Sequence, residues 1–157
     1  MKHFVHVLLV NLCLMGCTSN PPVQPPPPPP TVINLQIEPA ANLNADIKGN
    51  GAPVMLRIYE LREQSNFTTA DFFALFNNEK ATLGADLVRK QELLLQPGES
   101  KTLSLNPDDA VQAVGFFAAF RSLDTAQWRM VRDVKTHQTQ AIHLKLNNNQ
   151  ILLDAGN

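Results

Sequence analysis

Cysteine is almost missing from this 157-residue chain: Cys13 and Cys17 are the only two, both near the start. No disulfide framework can brace the remainder, so its stability must come from packing. Charge of one sign is also scarce, with 13 Lys and Arg against 14 Asp and Glu. Without a basic stripe the chain has no footprint for nucleic acid, and none is expected as a partner. Long hydrophobic runs are absent too. The mostly apolar stretch from Phe4 to Met15 falls short of the roughly 20 residues that a membrane-spanning helix requires.

That short run has a different use. Lys2 gives a positive start, and Leu14-Met15-Gly16-Cys17 closes the stretch with a small residue directly before cysteine. This is the layout of a signal peptide, residues 1–16. The Leu-x-Gly-Cys ending matches the lipobox of bacterial lipoproteins, in which the cysteine takes up diacylglycerol and its freed amine is acylated. Cys17 is therefore the expected lipidation site; an ordinary secretory peptide cut elsewhere is the alternative. Two or three acyl chains anchor stably where one holds only marginally, since each buried CH₂ contributes about 0.8 kcal/mol. In lipoproteins generally an Asp after the cysteine favours inner-membrane retention, and here Thr18 follows. The expected location is the periplasmic face of the outer membrane, reached through N-terminal acyl chains.

Residues 17–31 form the second segment. Eight prolines lie between Pro21 and Pro30, six of them consecutive from Pro25. Such a tract has no backbone donors and extends as polyproline II, a stiff spacer of about 3.1 Å per residue. From residue 32 onward, period-two alternation takes over, as in Ile33, Leu35 and Ile37 against Asn34, Gln36 and Glu38. Similar runs follow at Val54 to Leu61, Val88 to Leu95, Lys101 to Leu105, Gln112 to Arg121, Gln127 to Lys135, Ala141 to Leu146 and Gln150 to Leu153. The pattern predicts an all-β sandwich or barrel of about eight strands over 32–157. Gln96-Pro97-Gly98-Glu99 suits a type II turn and Asn147-Asn148-Asn149 tolerates positive φ, so strands 3/4 and 7/8 are expected as hairpins.

One segment, at about 67–87, is helical instead. Thr68-Thr69-Ala70-Asp71 fits a capping box with Thr68 as N-cap, and Phe67 with Phe72 supplies the hydrophobic staple. Phe72, Leu75 and Phe76 then share a face for packing on the sandwich. Asn78 begins a second short helix that ends near Gly84. This helical insertion lies between strands 2 and 3.

Catalytic chemistry has little material. After the leader only His137 and His143 remain, with neither metal-ligand spacing nor a neighbouring nucleophile. Ser100 follows a turn rather than sitting in a Gly-x-Ser-x-Gly elbow, and Asp108 with Asp109 has the spacing of a solvated turn. No catalytic residue, metal site, cofactor or small-molecule substrate is expected. An alternating Trp128, Met130 and Val134 places the indole in the core, with Arg121 or Arg129 at a sheet rim, and Tyr59 reads as core as well.

Several motifs occur in a telling order: Arg57-Ile58-Tyr59-Glu60-Leu61, Phe67 to Phe76, Leu83-Gly84-Ala85-Asp86-Leu87, Pro97-Gly98, and Ala118-Ala119-Phe120-Arg121-Ser122-Leu123-Asp124 leading to Trp128-Arg129. With the lipobox, this succession resembles the TssJ-type lipoproteins of the bacterial type VI secretion system. Phe120 stands where that family often has Tyr, and the proline run is longer than is usual for it. The resemblance implies a transthyretin-like two-sheet β-sandwich and a non-enzymatic role. That role is tethering and assembly of the membrane complex at the outer membrane, by binding the periplasmic C-terminal part of the inner-membrane protein TssM. The competing reading is a lipid-anchored binding or inhibitory module for another ligand or a periplasmic enzyme, which would need a concave pocket.

The expected contact region is the loop from Pro39 to Ala52, longer than the usual hairpin connection of about 2 to 5 residues. In the resembled family the loop between the first two strands contacts TssM, and Asn44-x-Asp46 ahead of Arg57-Ile58-Tyr59 is the local match. Leu43 and Ile47 are expected as apolar contacts. Asn44 and Asp46 are expected to fix orientation by hydrogen bonds.

Overall fold

The computed structural model describes residues 24–154; the leader, Cys17 and the start of the proline tract lie outside them. Gln24 to Pro30 are exposed and carry no regular secondary structure. Eight strands follow: β1 (Val32–Pro39), β2 (Val54–Leu61), β3 (Leu87–Leu95), β4 (Lys101–Leu105), β5 (Ala113–Ala118), β6 (Arg129–Asp133), β7 (Thr139–Asn147) and β8 (Gln150–Leu153). Between β2 and β3 lie α1 (Ser65–Thr69), α2 (Phe72–Leu83) and a single 3-10 turn (Gly84–Asp86). The eight expected strands and the insertion are all present.

Two four-stranded sheets face each other, one ordered β4-β1-β7-β8 and the other β3-β2-β5-β6. In the first, β1 runs parallel to β7 from Val32↔Thr139 to Pro39↔Leu146 and antiparallel to β4. All neighbours in the second are antiparallel. The inner faces supply the main core: Ile33, Leu35 and Ile37 from β1, Leu56 and Ile58 from β2, Phe116 from β5 and Leu144 from β7. Along one side Gln127 stitches the sheets together, donating its N–H to Asn149 O at 3.1 Å and accepting from Ile151 N–H at 2.9 Å. The other side ends in the two free edges of β3 and β4.

The centre of the second sheet is covered on both faces, which explains why all six residues of β5 are buried while β3 and β6 stay partly exposed. Between its outer face and the helices lies a second cluster, Tyr59, Leu61 and Phe117 from the strands with Phe67, Leu75 and Leu83 from the helices. Gly115 makes this approach possible, because a Cβ there would stand 2.9 Å from the Phe67 ring. Phe72 stacks on Phe117 at 5.0 Å and meets Trp128 edge-on at 5.4 Å. Trp128 is half-buried and touches both clusters rather than lying inside the main core.

Three expectations need correction. β3 and β4 are not a hairpin: the Gln96 to Glu99 turn forms, with Glu99 N–H on Gln96 O at 3.2 Å and Gly98 at φ 75°, yet it carries the chain from one sheet to the other. A type II turn splays its flanking strands, whereas tight hairpins take the primed types that match strand twist. The expected β7/β8 hairpin does form, with Asn147 opposite Gln150 and Asn148 at φ 54°. The N-cap of α2 is Asp71, whose carboxylate accepts from Ala74 N–H at 2.9 Å; Thr68 lies within α1 and its hydroxyl donates to Ser65 O. Finally, β1 and β2 sit in opposite sheets, so the loop between them is not a hairpin connection.

Two arginines fix the insertion to the sheet. α2 breaks at Asn78 (φ −137°, ψ 38°), which leaves carbonyls before the break without intrahelical partners. Arg57, on the outer face of β2, donates to Leu75 O at 3.1 Å and Phe76 O at 3.0 Å, and also pairs with Glu79 at 2.7 Å and Glu92 at 2.9 Å. From β6, Arg129 donates to Phe67 O and Ala70 O while its guanidinium lies 4.7 Å from the Trp128 ring centre.

Candidate partner-binding site

The chain enters β1 at Val32 and leaves it at Pro39, about 23 Å away at 3.3 Å per residue. The proline tract and the β1–β2 loop therefore occupy opposite ends of the sandwich. At the tract's end, Thr31 is buried and its hydroxyl accepts His137 N–H at 2.9 Å, while Val32 N–H donates to Gln138 O at 3.0 Å. At the far end, the β1–β2 loop meets the β3–β4 turn, the β5–β6 connection and the β7–β8 turn.

The four expected contact residues separate into distinct roles. Leu43 is 0% exposed and belongs to the main core, so it is no surface contact. A loop that crosses between sheets about 10 Å apart must close the open end of the sandwich, and an apolar residue on its way across is drawn inside. Asn44 is also buried. At φ 49° it adopts the left-handed conformation that Asn tolerates, and it ties three loops together. Its N–H donates to Asn148 O at 2.6 Å, its amide to Pro53 O at 2.9 Å, and its side-chain oxygen accepts Arg121 N–H at 2.9 Å. All three of these hydrogen bonds are internal to the chain.

Asp46 and Ile47 form the tip. The Asp46 carboxylate accepts Lys48 N–H at 2.8 Å, Asn50 N–H at 2.9 Å and the Asn50 amide at 3.1 Å. Those bonds, the Asn50 backbone one foremost, hold its carboxyl below the ordinary carboxylate range, with Arg121 adding a smaller attraction. Gly49 completes the turn at φ 85°. Ile47 stands above this braced ring with its side chain fully exposed, an apolar group held out on a fixed turn. Gly51 lets the returning strand pass: a Cβ there would be 2.2 Å from Ala41 O and 3.1 Å from the Pro97 ring.

The remaining chemistry is sparse. His143 is exposed on β7, and His137 sits in a turn with its ring Nδ1 3.1 Å from Pro29 O. An open polar depression of about 440 Å³, lined by Arg132, Asp133, Lys135 and Gln140 among others, lies where β6 passes to β7. Among the described residues no group of three or more His, Cys, Asp or Glu is placed to hold a metal ion, and no helix is long and apolar enough to cross a membrane.

Comparison with known proteins gives a consistent picture. Residues 31–149 match the family model described as type VI secretion lipoprotein, VasD, EvfM, TssJ, VC_A0113. The crystal structure of the T6SS lipoprotein TssJ1 from Pseudomonas aeruginosa is similar at 40% identity and a TM-score of 0.79, covering 82% of this chain and 98% of that one. A chain of a structure described as a type VI membrane complex is similar at 26% identity and a TM-score of 0.70, over 78% of this chain and 97% of its own. A chain of a structure described as the T6SS protein TssM C-terminal domain (869-1107) from EAEC is similar at 26% identity and a TM-score of 0.67, again over 78% and 97%. No curated protein matches.

Proposed function

Because the chain belongs to the TssJ family of type VI secretion lipoproteins, we propose that it tethers the secretion membrane complex to the outer membrane and binds the periplasmic C-terminal part of a TssM-type inner-membrane protein. Acyl chains on Cys17 hold it at the periplasmic face of the outer membrane, and the proline tract spaces the sandwich from the lipid. The observation that carries the reading is the placement of the two ends. Ile47 is fully exposed on a hydrogen-bonded tip, and that tip is at the opposite pole from the residues that lead to the anchor. An apolar group held rigidly toward the periplasm loses little freedom on binding, which favours affinity. Asp46 acts by shaping the turn, and Leu43 with Asn44 by fixing its base. The likeness to chains from a type VI membrane complex and from a TssM C-terminal domain structure supports this choice of partner.

Ile47→Ser tests it. The substitution touches no packed neighbour, so the thermal transition is expected to stay unchanged while calorimetric affinity for the partner's periplasmic domain falls about tenfold or more, the range of an apolar anchor at an interface. Unaltered affinity would remove the tip from the binding surface.

A further inference from the structure

Among the described residues, and apart from Ile47, the exposed large apolar side chains are Phe73, Phe76, Leu94 and Leu152. Three of them are joined across the outer face of the second sheet. Leu94 is opposite Met55, which is on the same face of β2 as Arg57 two residues on. The Arg57 guanidinium lies 5.5 Å from the centre of the Phe76 ring, and Phe72, stacked on Phe76 at 5.6 Å, meets Phe73 at 5.3 Å. The helices cover Tyr59 and Leu61, toward the end where the proline tract enters; Met55 is partly buried at the margin of the cluster beneath them, and Leu94 beyond it is exposed. Leu94 is 61% exposed and so is Phe73. In the other direction Leu94 leads into Pro97, which abuts Gly51 of the β1–β2 loop. The apolar face is thus continuous with the loop end.

We propose that this face, Leu94, Met55, Phe76 and Phe73, is the second half of the interface whose first half is the Ile47 tip, and that the same protein partner covers both. The inference rests on the reading of the loop as the partner site. Two considerations select that occupant. A stable interface needs about 800 Å² from each side, more than one turn of a loop supplies. A bilayer is excluded as occupant because the residues leading to the lipid anchor enter at the opposite end, where the surface is polar with Arg132, Asp133, Lys135 and His137. The charges around the face are already matched, Arg57 by Glu79 and Glu92, and Lys90 by Glu79. The contact is therefore apolar packing with little dependence on salt.

The test uses the lipidated full-length protein in detergent and the purified periplasmic C-terminal domain of the TssM-type partner. Leu94→Ser with Phe73→Ser removes apolar area from exposed positions, and Ile47→Ser is measured beside it, each checked for an unchanged thermal transition. Loss of about tenfold in affinity from the double substitution supports the proposal. If Ile47→Ser weakens binding and the double substitution does not, the face is overturned while the loop reading stands. If the double substitution weakens binding and Ile47→Ser does not, the face is a contact but its union with the loop tip is overturned; if neither weakens it, both readings fall. Should the double variant melt early, hydrogen exchange on the native protein decides instead. Slower exchange across β3 in the complex supports the proposal, and unchanged exchange there overturns it.

Discussion

Glu60 is 1% exposed, and only one of its carboxylate oxygens is engaged, accepting from Arg89 at 3.3 Å. The other has no partner among the described residues. It occupies the core-facing side of β2, just before the register shift between Glu60 and Leu61. Burial raises its carboxyl above the ordinary 4.5; Arg89 counters this and Asp108 adds to it. A raised acid favours the folded state most while protonated, so its contribution is greatest below pH 4.5 and declines as pH climbs through the raised folded value. Arg89 is half exposed and so offsets little. Glu60→Gln is therefore expected to raise stability at pH 7 by about 1 kcal/mol, with the gain shrinking as the pH of the melt is lowered through the raised folded value toward 4.5. A variant that is less stable at pH 7 would mean that the Arg89 pair dominates. Tyr59 is a milder case: burial lifts its phenol to about 12, opposed by nearby Arg57, and its hydroxyl has no hydrogen bond of acceptable geometry.

At the scale of elements, Asn44 is where the loop end is assembled. Truncation to Ala would leave Pro53 O and Arg121 N–H unpaired and put a residue that disfavours positive φ at 49°. Asn44→Ala is expected to cost about 2 kcal/mol and to speed amide exchange in the β5–β6 connection and the β7–β8 turn. Unchanged melting would deny it this role. The same residue marks the limit of what the chain reveals before it folds. Alternation marks the half-buried strands, because such a strand writes its two faces into its own sequence, whereas β5, buried throughout, carries no such contrast. Which strands pair is a matter of twist and of partners distant along the chain, so the Pro97-Gly98 turn could be placed as a turn while its passage between sheets could not. The fate of Leu43 followed from that. In a hairpin loop it would face solvent, and early in a crossing between sheets it closes the core. Ile47 shares its apolar character and differs only in being four residues further along, past Asn44 and on the turn that Asp46 braces. Leu94 was hidden for a related reason: it continues an apolar run, Leu93-Leu94-Leu95, but the helices above its sheet stop short of it.

On the scale of the whole molecule, the two poles have different physical characters, and the fold keeps them apart. β1 is the strut between them, paired over its full length with β7 and held on its other side by β4. Its first residues are locked through Thr31 and His137, and its last lead into the loop that carries Ile47. Among the described residues neither core cluster includes one before Ile33, so the described end of the proline tract adds no side chain to the core. Anchor and sandwich should therefore be separable. If residues 1–17 are replaced by a conventional secretory signal peptide cut ahead of Thr18, the chain is expected in the soluble periplasmic fraction. Its melting temperature and its affinity for the partner domain should match those of the lipidated protein in detergent. Mass spectrometry of the native protein should in parallel find Cys17 as the acylated first residue. A lower melting temperature would show that the tether contributes to folding, and a chain still recovered with membranes would reveal an attachment other than Cys17. With both expectations met, acyl chains supply position alone, and the proline tract together with the rigid span of β1 determines how far from the lipid the binding end is presented.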